Sequence, residues 1–226
     1  MNGGIALFVK TPGLSPVKTR LAAGLGRAQA EAVFIACAEA TAEVLQRCGQ
    51  LGGVATYWAI AEYGHQAVEW WSARGGLSVI HQGEGGLGAR MARVHQQLVR
   101  DCGFGLLIGA DAPQLEVDAL LQAADWLRAP TPRQVLGLAE DGGFWLYGGN
   151  RVAPETLWSK VSYSQPHTAD EFRAAFAAYG EWQAAPRLCD LDSIGDIARV
   201  RAALAALPAP LPAQRRLFEL LERIDA

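Results

Sequence analysis

Short apolar runs alternate with segments of helical periodicity along the first 130 or so residues, and this alternation restricts the fold more than any other feature. Residues 5–9 and 104–108 are continuous apolar runs between glycine or turn residues, which is typical of strands buried on both faces. Apolar residues recur at helical spacing over residues 27–48, 87–102 and 117–127. The alternation predicts an α/β fold, in Rossmann-like three-layer α/β/α form, with a mostly parallel sheet.

The pattern changes after residue 134. Residues 135–139 and 144–148 are strand-like and are joined only by the turn sequence EDGG, so we expect an antiparallel hairpin added to the sheet. A proline-rich link at residues 207–212 precedes a last helix with an apolar face. We therefore expect one domain over residues 1–206, with the link and amphipathic helix of residues 207–226 packed on it.

Composition narrows the class of protein. The chain of 226 residues is 50% hydrophobic and has a formal net charge of −3, which is typical of a globular protein and gives no general attraction to nucleic acid or an anionic membrane. Its four cysteines form no C-x-x-C pair, and no apolar run approaches the roughly 18 residues that span a bilayer. We expect a soluble cytoplasmic protein with no nucleic-acid or membrane partner; the sequence leaves its oligomeric state open.

The stretch FVKTPGLSPVKTRLAAGLG, at residues 8–26, follows the first predicted strand. In an open parallel sheet, ligands bind beyond the carboxyl ends of the strands. Lys10, Lys18, Thr19 and Arg20 lie around the start of a predicted helix, where backbone N–H groups also favour an anion. The stretch matches neither G-x-x-x-x-G-K-[ST] nor G-x-G-x-x-G, so it is either a phosphate site or a loop whose basic residues face water.

Asp111 follows another buried strand, within the sequence GADAP. A carboxylate at the end of a central strand is well placed to hold a divalent cation, Mg²⁺ or Mn²⁺, on phosphate oxygens. The alternative is an aspartate that bonds its own backbone in a turn. Further along, Ser193 and Asp196 are expected to cap a helix. Capping leaves Asp190 and Asp192 unexplained, and a second carboxylate from this pair would complete a metal site with Asp111.

Two glycine-containing turns are the remaining candidates. In EDGG, Asp141 followed by glycine favours a hairpin turn, but the bare backbone of Gly142 and Gly143 would also let a ligand approach while Asp141 bonds sugar hydroxyls or acts as a base. The run HQGEGGLG begins at residue 81. Its Gln82 is a candidate for pairing with a base edge, and a plain flexible loop is the alternative.

Four motifs, FVKTPGLSPVKTRLAAGLG, GADAPQL, EDGGFWLYG and DLDSIGDI, occur in this order along the chain. Together they resemble the bacterial glycosyltransferase-A-like family that is similar to the deazaflavin-cofactor guanylyltransferases, and the resemblance covers residues 5–206. It implies the fold of the nucleotide-diphospho-sugar transferase superfamily, of GT-A type. It also implies a nucleotide bound at the amino-terminal half and a divalent metal on its diphosphate.

The resemblance assigns roles residue by residue. The nucleotide phosphates would be contacted by Lys10, Lys18, Thr19 and Arg20. The metal would bind Asp111 and Asp192, while Gly142 and Gly143 would line the sugar or acceptor pocket.

The sequence also departs from the family's usual pattern. Ala112 stands where a cysteine is common, and Phe144-Trp145 replaces paired tyrosines. Ser193-Ile194-Gly195 replaces Thr-Pro-Glu directly after Asp192.

Three functions are compatible with these residues. The first is metal-dependent glycosyl transfer from a nucleotide-sugar to a small-molecule acceptor, in which Lys18 and Arg20 stabilise the leaving diphosphate and Asp141 orients or deprotonates an acceptor hydroxyl. The second is nucleotidyl transfer, in which a phosphorylated acceptor attacks an NTP and pyrophosphate leaves. The third is nucleotide binding without turnover, which the combination of paired cations and acids argues against.

Overall fold

A computed structural model describes residues 2–224 of the chain. Within these residues the strands are β1 (Gly4–Val9), β2 (Ala55–Ile60), β3 (Ser78–His81), β4 (Gly105–Gly109), β5 (Arg133–Ala139), β6 (Phe144–Gly149) and β7 (Glu181–Leu188). They form one sheet in the order β3-β2-β1-β4-β6-β5-β7. Helices flank this sheet, so the predicted α/β architecture is confirmed.

The helices follow the predicted alternation closely. They are α1 (Thr19–Leu25), α2 (Arg27–Gly52), α3 (His65–Ser72), α4 (Leu87–Cys102), α5 (Val117–Leu127), α6 (Glu155–Trp158), α7 (Thr168–Ala175), α8 (Ile194–Ala205) and α9 (Pro212–Ile224), with a short 3₁₀ helix at Ala177–Tyr179. The periodicity of the sequence does not predict α6, because four residues make barely one turn. Within residues 2–224, no helix is both long enough and apolar enough to cross a bilayer.

Strand direction decides where a ligand can bind. β1 is parallel to β2 and β4, β2 is parallel to β3, and β5 is parallel to β7. Only β6 is reversed among the strands described, since it is antiparallel to both β4 and β5, and the predicted hairpin is thereby confirmed. The carboxyl ends of the other six strands and the β5–β6 turn therefore lie along one edge of the sheet, which we call the carboxyl edge.

Apolar side chains cover both faces of the sheet. On one face, α2, α3 and α5 pack over β-strand residues such as Trp58. On the other, α4, α6 and α7 enclose an aromatic cluster that includes Tyr147, Trp158 and Phe172. The resulting order of helix layer, sheet and helix layer is the predicted three-layer form.

The last helix belongs to a third apolar cluster. Leu217 and Leu221 of α9 are fully buried, and α9 packs against α2 and α8. The division of the chain at residue 206 stays a prediction, and residues 1, 225 and 226 of the two predicted segments lie outside the described residues.

His95 on α4 is a titratable group inside the aromatic cluster. Its ring lies 5.2 Å from that of Tyr147 and 5.6 Å from that of Trp158, between ring centroids. Since a carbonyl oxygen only accepts, its Nε2–H donates to the oxygen of Gly149 at 3.2 Å. Burial lowers the pKa of His95 to about 4, even though this hydrogen bond acts in the opposite direction. The imidazole is therefore neutral at physiological pH.

We expect His95 to make folding sensitive to acid. A histidine whose pKa is lower in the folded chain contributes stability above its unfolded pKa of about 6.5. That contribution is lost as the pH falls through its folded pKa of about 4. Between pH 7 and pH 4.5 the loss is about 2 kcal/mol. Replacing His95 with glutamine, which keeps an N–H donor without titrating, should cost stability at pH 7 and progressively less towards pH 4.5.

Urea unfolding of both proteins at the two pH values measures this effect. The matched control is His65→Gln, because the side chain of His65 is 83% exposed. A free-energy gap between wild type and His95→Gln that stays constant with pH would contradict the assignment.

Candidate functional site

The ammonium group of Lys18 lies between two carboxylates at the carboxyl edge. Its Nζ donates to Oδ1 of Asp192 at 2.8 Å and forms an ion pair with Oδ1 of Asp111. The Lys18 side chain is only 4% exposed, whereas those of Asp111 and Asp192 are 42% and 41% exposed. Burial alone would lower the pKa of this amine, but the two carboxylates outweigh burial and raise its pKa above the ordinary value. Lys18 is therefore a permanently charged cation.

The backbone at Lys18 is unusual for a lysine. Its φ and ψ are both 45°, in the left-handed region that residues with a Cβ avoid. Among the described residues, only Ser164 is another non-glycine with a positive φ. Such a conformation costs of order 1–3 kcal/mol and is found most often at functional sites. Here it accompanies a side chain buried against two acids.

Backbone hydrogen bonds fix the two acids relative to each other. The N–H of Leu191 donates to the carbonyl oxygen of Asp111 at 2.8 Å, which joins the segment after β7 to the loop after β4. The predicted cap at the start of α8 is also present. There, Oδ2 of Asp196 accepts the N–H groups of Ser193 at 2.7 Å and of Asp192 at 3.1 Å. The backbone of Asp192 is thus held by the end of a helix.

Asp190 is a fourth carboxylate in the same region as Asp111, Asp141 and Asp192. Burial, together with the negative charges of the other three carboxylates, raises its pKa to about 7, while the positive charge of Lys18 opposes this shift. The sequence offered either Asp190 or Asp192 as a second metal carboxylate beside Asp111, and the family resemblance selected Asp192. The signal for Asp190 was its spacing from Asp192, because residues two apart on an extended segment point to the same side.

The turn between β5 and β6 has a structural explanation. Oδ1 of Asp141 accepts the N–H of Gly143 at 2.8 Å. Gly142 has a φ of +91°, and a Cβ there would come within 1.9 Å of the carbonyl oxygen of Pro166. Glycine is therefore required at 142 by packing. The predicted roles of Gly142, Gly143 and Asp141 toward a sugar or acceptor stay predictions.

Gln82 is built into the edge of the sheet. Its side chain is buried, and its amide donates to the carbonyl oxygens of Val9 at 3.1 Å and Ala59 at 2.8 Å. These bonds use both amide hydrogens and join the ends of β1 and β2. Pairing of Gln82 with a base edge stays a prediction, but a ligand would find neither hydrogen free.

The other basic residues of the first loop remain open to solvent. Lys10, Thr19 and Arg20 are exposed, and within residues 2–224 their side chains have no hydrogen-bond or ion-pair partner. The helix that begins at Thr19 has only seven residues. Side chains, more than a helix dipole, would therefore supply the attraction for an anion at this loop.

The carboxylates of Asp111 and Asp192 could supply only some of the ligands that a Mg²⁺ ion needs. No group of three or more His, Cys, Asp or Glu side chains in residues 2–224 is arranged to hold a metal ion. Asp111 and Asp192 each use one carboxylate oxygen on Lys18, which leaves a second oxygen on each. Mg²⁺ is commonly bound by one or two carboxylates together with substrate phosphates and waters. Asp111 and Asp192 fit such a shared site.

A pocket of about 400 Å³ lies beside the first loop. It is lined by residues 13–17 together with Thr19, Ala22, Arg27 and Glu31. Lys18, Asp111 and Asp192 do not line it, so the charged cluster lies on the open carboxyl edge and outside this pocket.

A protein-family model matches residues 44–165, more than half of the chain. That family is described as "Uncharacterized protein conserved in bacteria (DUF2064)". No curated protein is similar enough in sequence to count as a match.

Solved structures share the fold over nearly the whole chain. A protein from Desulfovibrio desulfuricans G20, whose description assigns it to the nucleotide-diphospho-sugar transferases, has a TM-score of 0.78 at 21% identity and covers 98% of this chain and 97% of its own. A cytidylyltransferase from Leptospira borgpetersenii has a TM-score of 0.55 at 12% identity, covering 99% and 94%. A 4-diphosphocytidyl-2C-methyl-D-erythritol synthase from Anaerococcus prevotii has a TM-score of 0.55 at 10% identity, covering 89% and 95%. At such identities the likeness shows the fold alone, and it confirms the fold that the sequence predicted.

We expect Lys18→Met to unbalance the charged cluster. Methionine keeps most of the side-chain volume but removes the ammonium, so Asp111 and Asp192 face each other without a counter-charge. Because both acids are partly exposed and solvent screens their repulsion, the unfolding free energy should fall by about 1–3 kcal/mol near pH 7. Because the repulsion is electrostatic, the loss should shrink in about 1 M salt, which screens charges over about 3 Å.

Urea unfolding near pH 7 at low salt and at about 1 M salt tests this expectation. The control is Lys160→Met, at an exposed position, which should change stability by less than about 0.5 kcal/mol. An equal loss in both variants, or a loss at Lys18 that does not depend on the salt concentration, would show that the ion pairs do not stabilise the fold.

Proposed function

The chain belongs to the DUF2064 family of proteins conserved in bacteria, and we propose that it is a transferase that uses a nucleotide-activated donor together with a divalent metal ion. One observation carries the proposal. The buried, charged Lys18 lies between two half-exposed carboxylates at the edge of a parallel sheet where ligands bind. A cation and two acids at such an edge are suited to a phosphate chain and its counter-ion, which bring opposite charges to the same place.

The first loop supplies the positive charge for the phosphates. Lys10 and Arg20 are exposed cations at either side of the loop, and Thr19 offers a hydroxyl donor. Charge-assisted hydrogen bonds from such groups to phosphate oxygens are shorter and stronger than neutral ones. Lys18 would add a cation that is already desolvated, so its attraction for a developing negative charge is less screened by water.

Asp111 and Asp192 would hold the metal, Mg²⁺ or Mn²⁺, through the oxygens that Lys18 leaves free. Bound there, the ion would neutralise charge on the phosphate chain. The support for this assignment is the partial exposure of both carboxylates and the single oxygen that each gives to Lys18.

Glycosyl transfer from a nucleotide-sugar is the reaction we propose first. The acceptor hydroxyl oxygen forms a bond to the anomeric carbon as the bond from that carbon to the diphosphate oxygen breaks, and the nucleoside diphosphate leaves. Lys18 and Arg20 stabilise the charge on the leaving group. Asp141 is exposed and uses Oδ1 in its own turn. Its Oδ2 would orient the acceptor hydroxyl and take the proton.

Nucleotidyl transfer is the second candidate. It is favoured by the cytidylyltransferase from Leptospira borgpetersenii, which shares this fold over nearly the whole chain. In this reaction a phosphate oxygen of the acceptor attacks the α-phosphorus of an NTP, and pyrophosphate leaves. The same cations would then stabilise pyrophosphate in place of a nucleoside diphosphate.

A substrate panel separates the two reactions. NTPs and nucleotide-sugars are first screened with Mg²⁺ or Mn²⁺ by thermal shift, and the compounds that bind are then assayed with hydroxylated and phosphorylated acceptors. Release of a nucleoside diphosphate supports glycosyl transfer. Release of pyrophosphate that depends on a phosphorylated acceptor rejects it in favour of nucleotidyl transfer, and a lack of any nucleotide-dependent shift rejects both.

We expect Asp111→Asn to remove the metal-dependent part of nucleotide binding, because an amide is a weaker ligand than a carboxylate for a hard cation. Titration calorimetry in the presence of Mg²⁺ should show at least about a tenfold loss of nucleotide affinity, and little loss when Mg²⁺ is replaced by EDTA. The control is Asp118→Asn, which changes an exposed acid in the first turn of α5. Unchanged binding in Asp111→Asn would refute the metal assignment.

A further inference from the structure

Tyr63 is an open aromatic side chain at the carboxyl edge. It follows the end of β2, its side chain is 59% exposed, and within residues 2–224 it is the only exposed phenylalanine, tyrosine or tryptophan. One face of its ring stacks on His81, with ring centroids 5.1 Å apart and planes inclined by 21°. Since His81 covers one face, the exposed area belongs to the other face and the ring edge.

Hydrogen bonds through Glu62 connect the stacked pair of Tyr63 and His81 to the first loop. Nδ1–H of His81 donates to the carbonyl oxygen of Glu62 at 3.2 Å, so the imidazole ring is fixed. The carboxylate of Glu62 accepts the N–H and the Oγ1–H of Thr11, at 2.9 and 2.7 Å. Thr11 directly follows Lys10 in the first loop. The pair is therefore tied to the same loop that carries the candidate phosphate ligands.

Strand register gives the spacing between the pair and this loop. Val9 is paired with Ile60, and Ile60 with His81, across three neighbouring parallel strands. Two strand spacings amount to about 10 Å. An extended nucleotide is long enough to place its base at the ends of β2 and β3 while its phosphates reach the loop after β1.

We propose that Tyr63, supported by His81, is a stacking platform for the nucleobase of the donor. This inference rests on the proposed function, because it identifies where the base of that nucleotide binds. Tyr63 offers a flat face whose rotation is already restricted by the stack beneath it, so little conformational freedom is lost on binding. Stacking accepts any base, since each base has a π-face. The platform therefore supplies affinity for the base and little choice among bases.

Titration calorimetry with wild type and Tyr63→Ala tests the platform. The probes are the four common ribonucleoside diphosphates and inorganic pyrophosphate, all with Mg²⁺. Loss of a base–aromatic stack should weaken every nucleoside diphosphate by about 5- to 100-fold. Pyrophosphate, which has no base, should bind equally to both proteins. Tyr63→Phe keeps the ring and should retain wild-type affinity within about twofold.

A matched control distinguishes the platform from a general surface effect. Leu51→Ala removes an apolar side chain that is 56% exposed, at the end of α2, and should leave all affinities unchanged. Nucleoside diphosphates that bind Tyr63→Ala as tightly as wild type would overturn the platform while leaving the phosphate site intact. Failure of wild type to bind either pyrophosphate or nucleotides would instead overturn the proposed function, and the platform with it.

Discussion

The ion pairs of Lys18 with Asp111 and Asp192 determine the geometry of the carboxyl edge. They join the segments that follow β1, β4 and β7. Of the residues joined, Lys18 and Asp192 are 174 positions apart in the chain. Without Lys18 the two carboxylates would repel each other. Without the carboxylates, burial of the Lys18 ammonium would cost free energy. Together they hold a lysine in a left-handed backbone conformation, because the strain at one residue is smaller than the cost of a buried, unpaired charge.

This cluster also explains why a phosphate ligand would need more than one cation. Burial, reinforced by the negative charges of Asp111, Asp141 and Asp192, raises the pKa of Asp190 to about 7. An anion that approaches such a surface is repelled unless positive charge comes with it. Exposed lysine and arginine side chains on the first loop supply part of that charge, and a divalent ion brought by the nucleotide would supply the rest.

Two candidate binding regions lie side by side along the carboxyl edge. The charged cluster occupies the ends of β1, β4 and β7, while the aromatic pair of Tyr63 and His81 occupies the ends of β2 and β3. The contact between Thr11 and Glu62 links the two regions. Gln82 contributes by tying strand ends together, and Gly142 by allowing a close packing contact. Gln82 and Gly142, which the sequence offers as ligand contacts, thus also have structural roles in the scaffold around the candidate site.

The sequence by itself determined the three-layer architecture, the hairpin, and the segments that carry the site, because buried strands and amphipathic helices leave a periodic record of which side chains avoid water. It also singled out Lys18, Asp111 and Asp192 as candidate site residues. Only the tertiary structure decided that Lys18 contacts both of these acids and that both amide hydrogens of Gln82 are already bonded. It also decided that Asp190 lies near the other carboxylates. Periodicity records the burial of a segment against its neighbours, but a contact between residues distant in the chain depends on where whole strands and loops come to lie. That arrangement leaves no local pattern in the sequence.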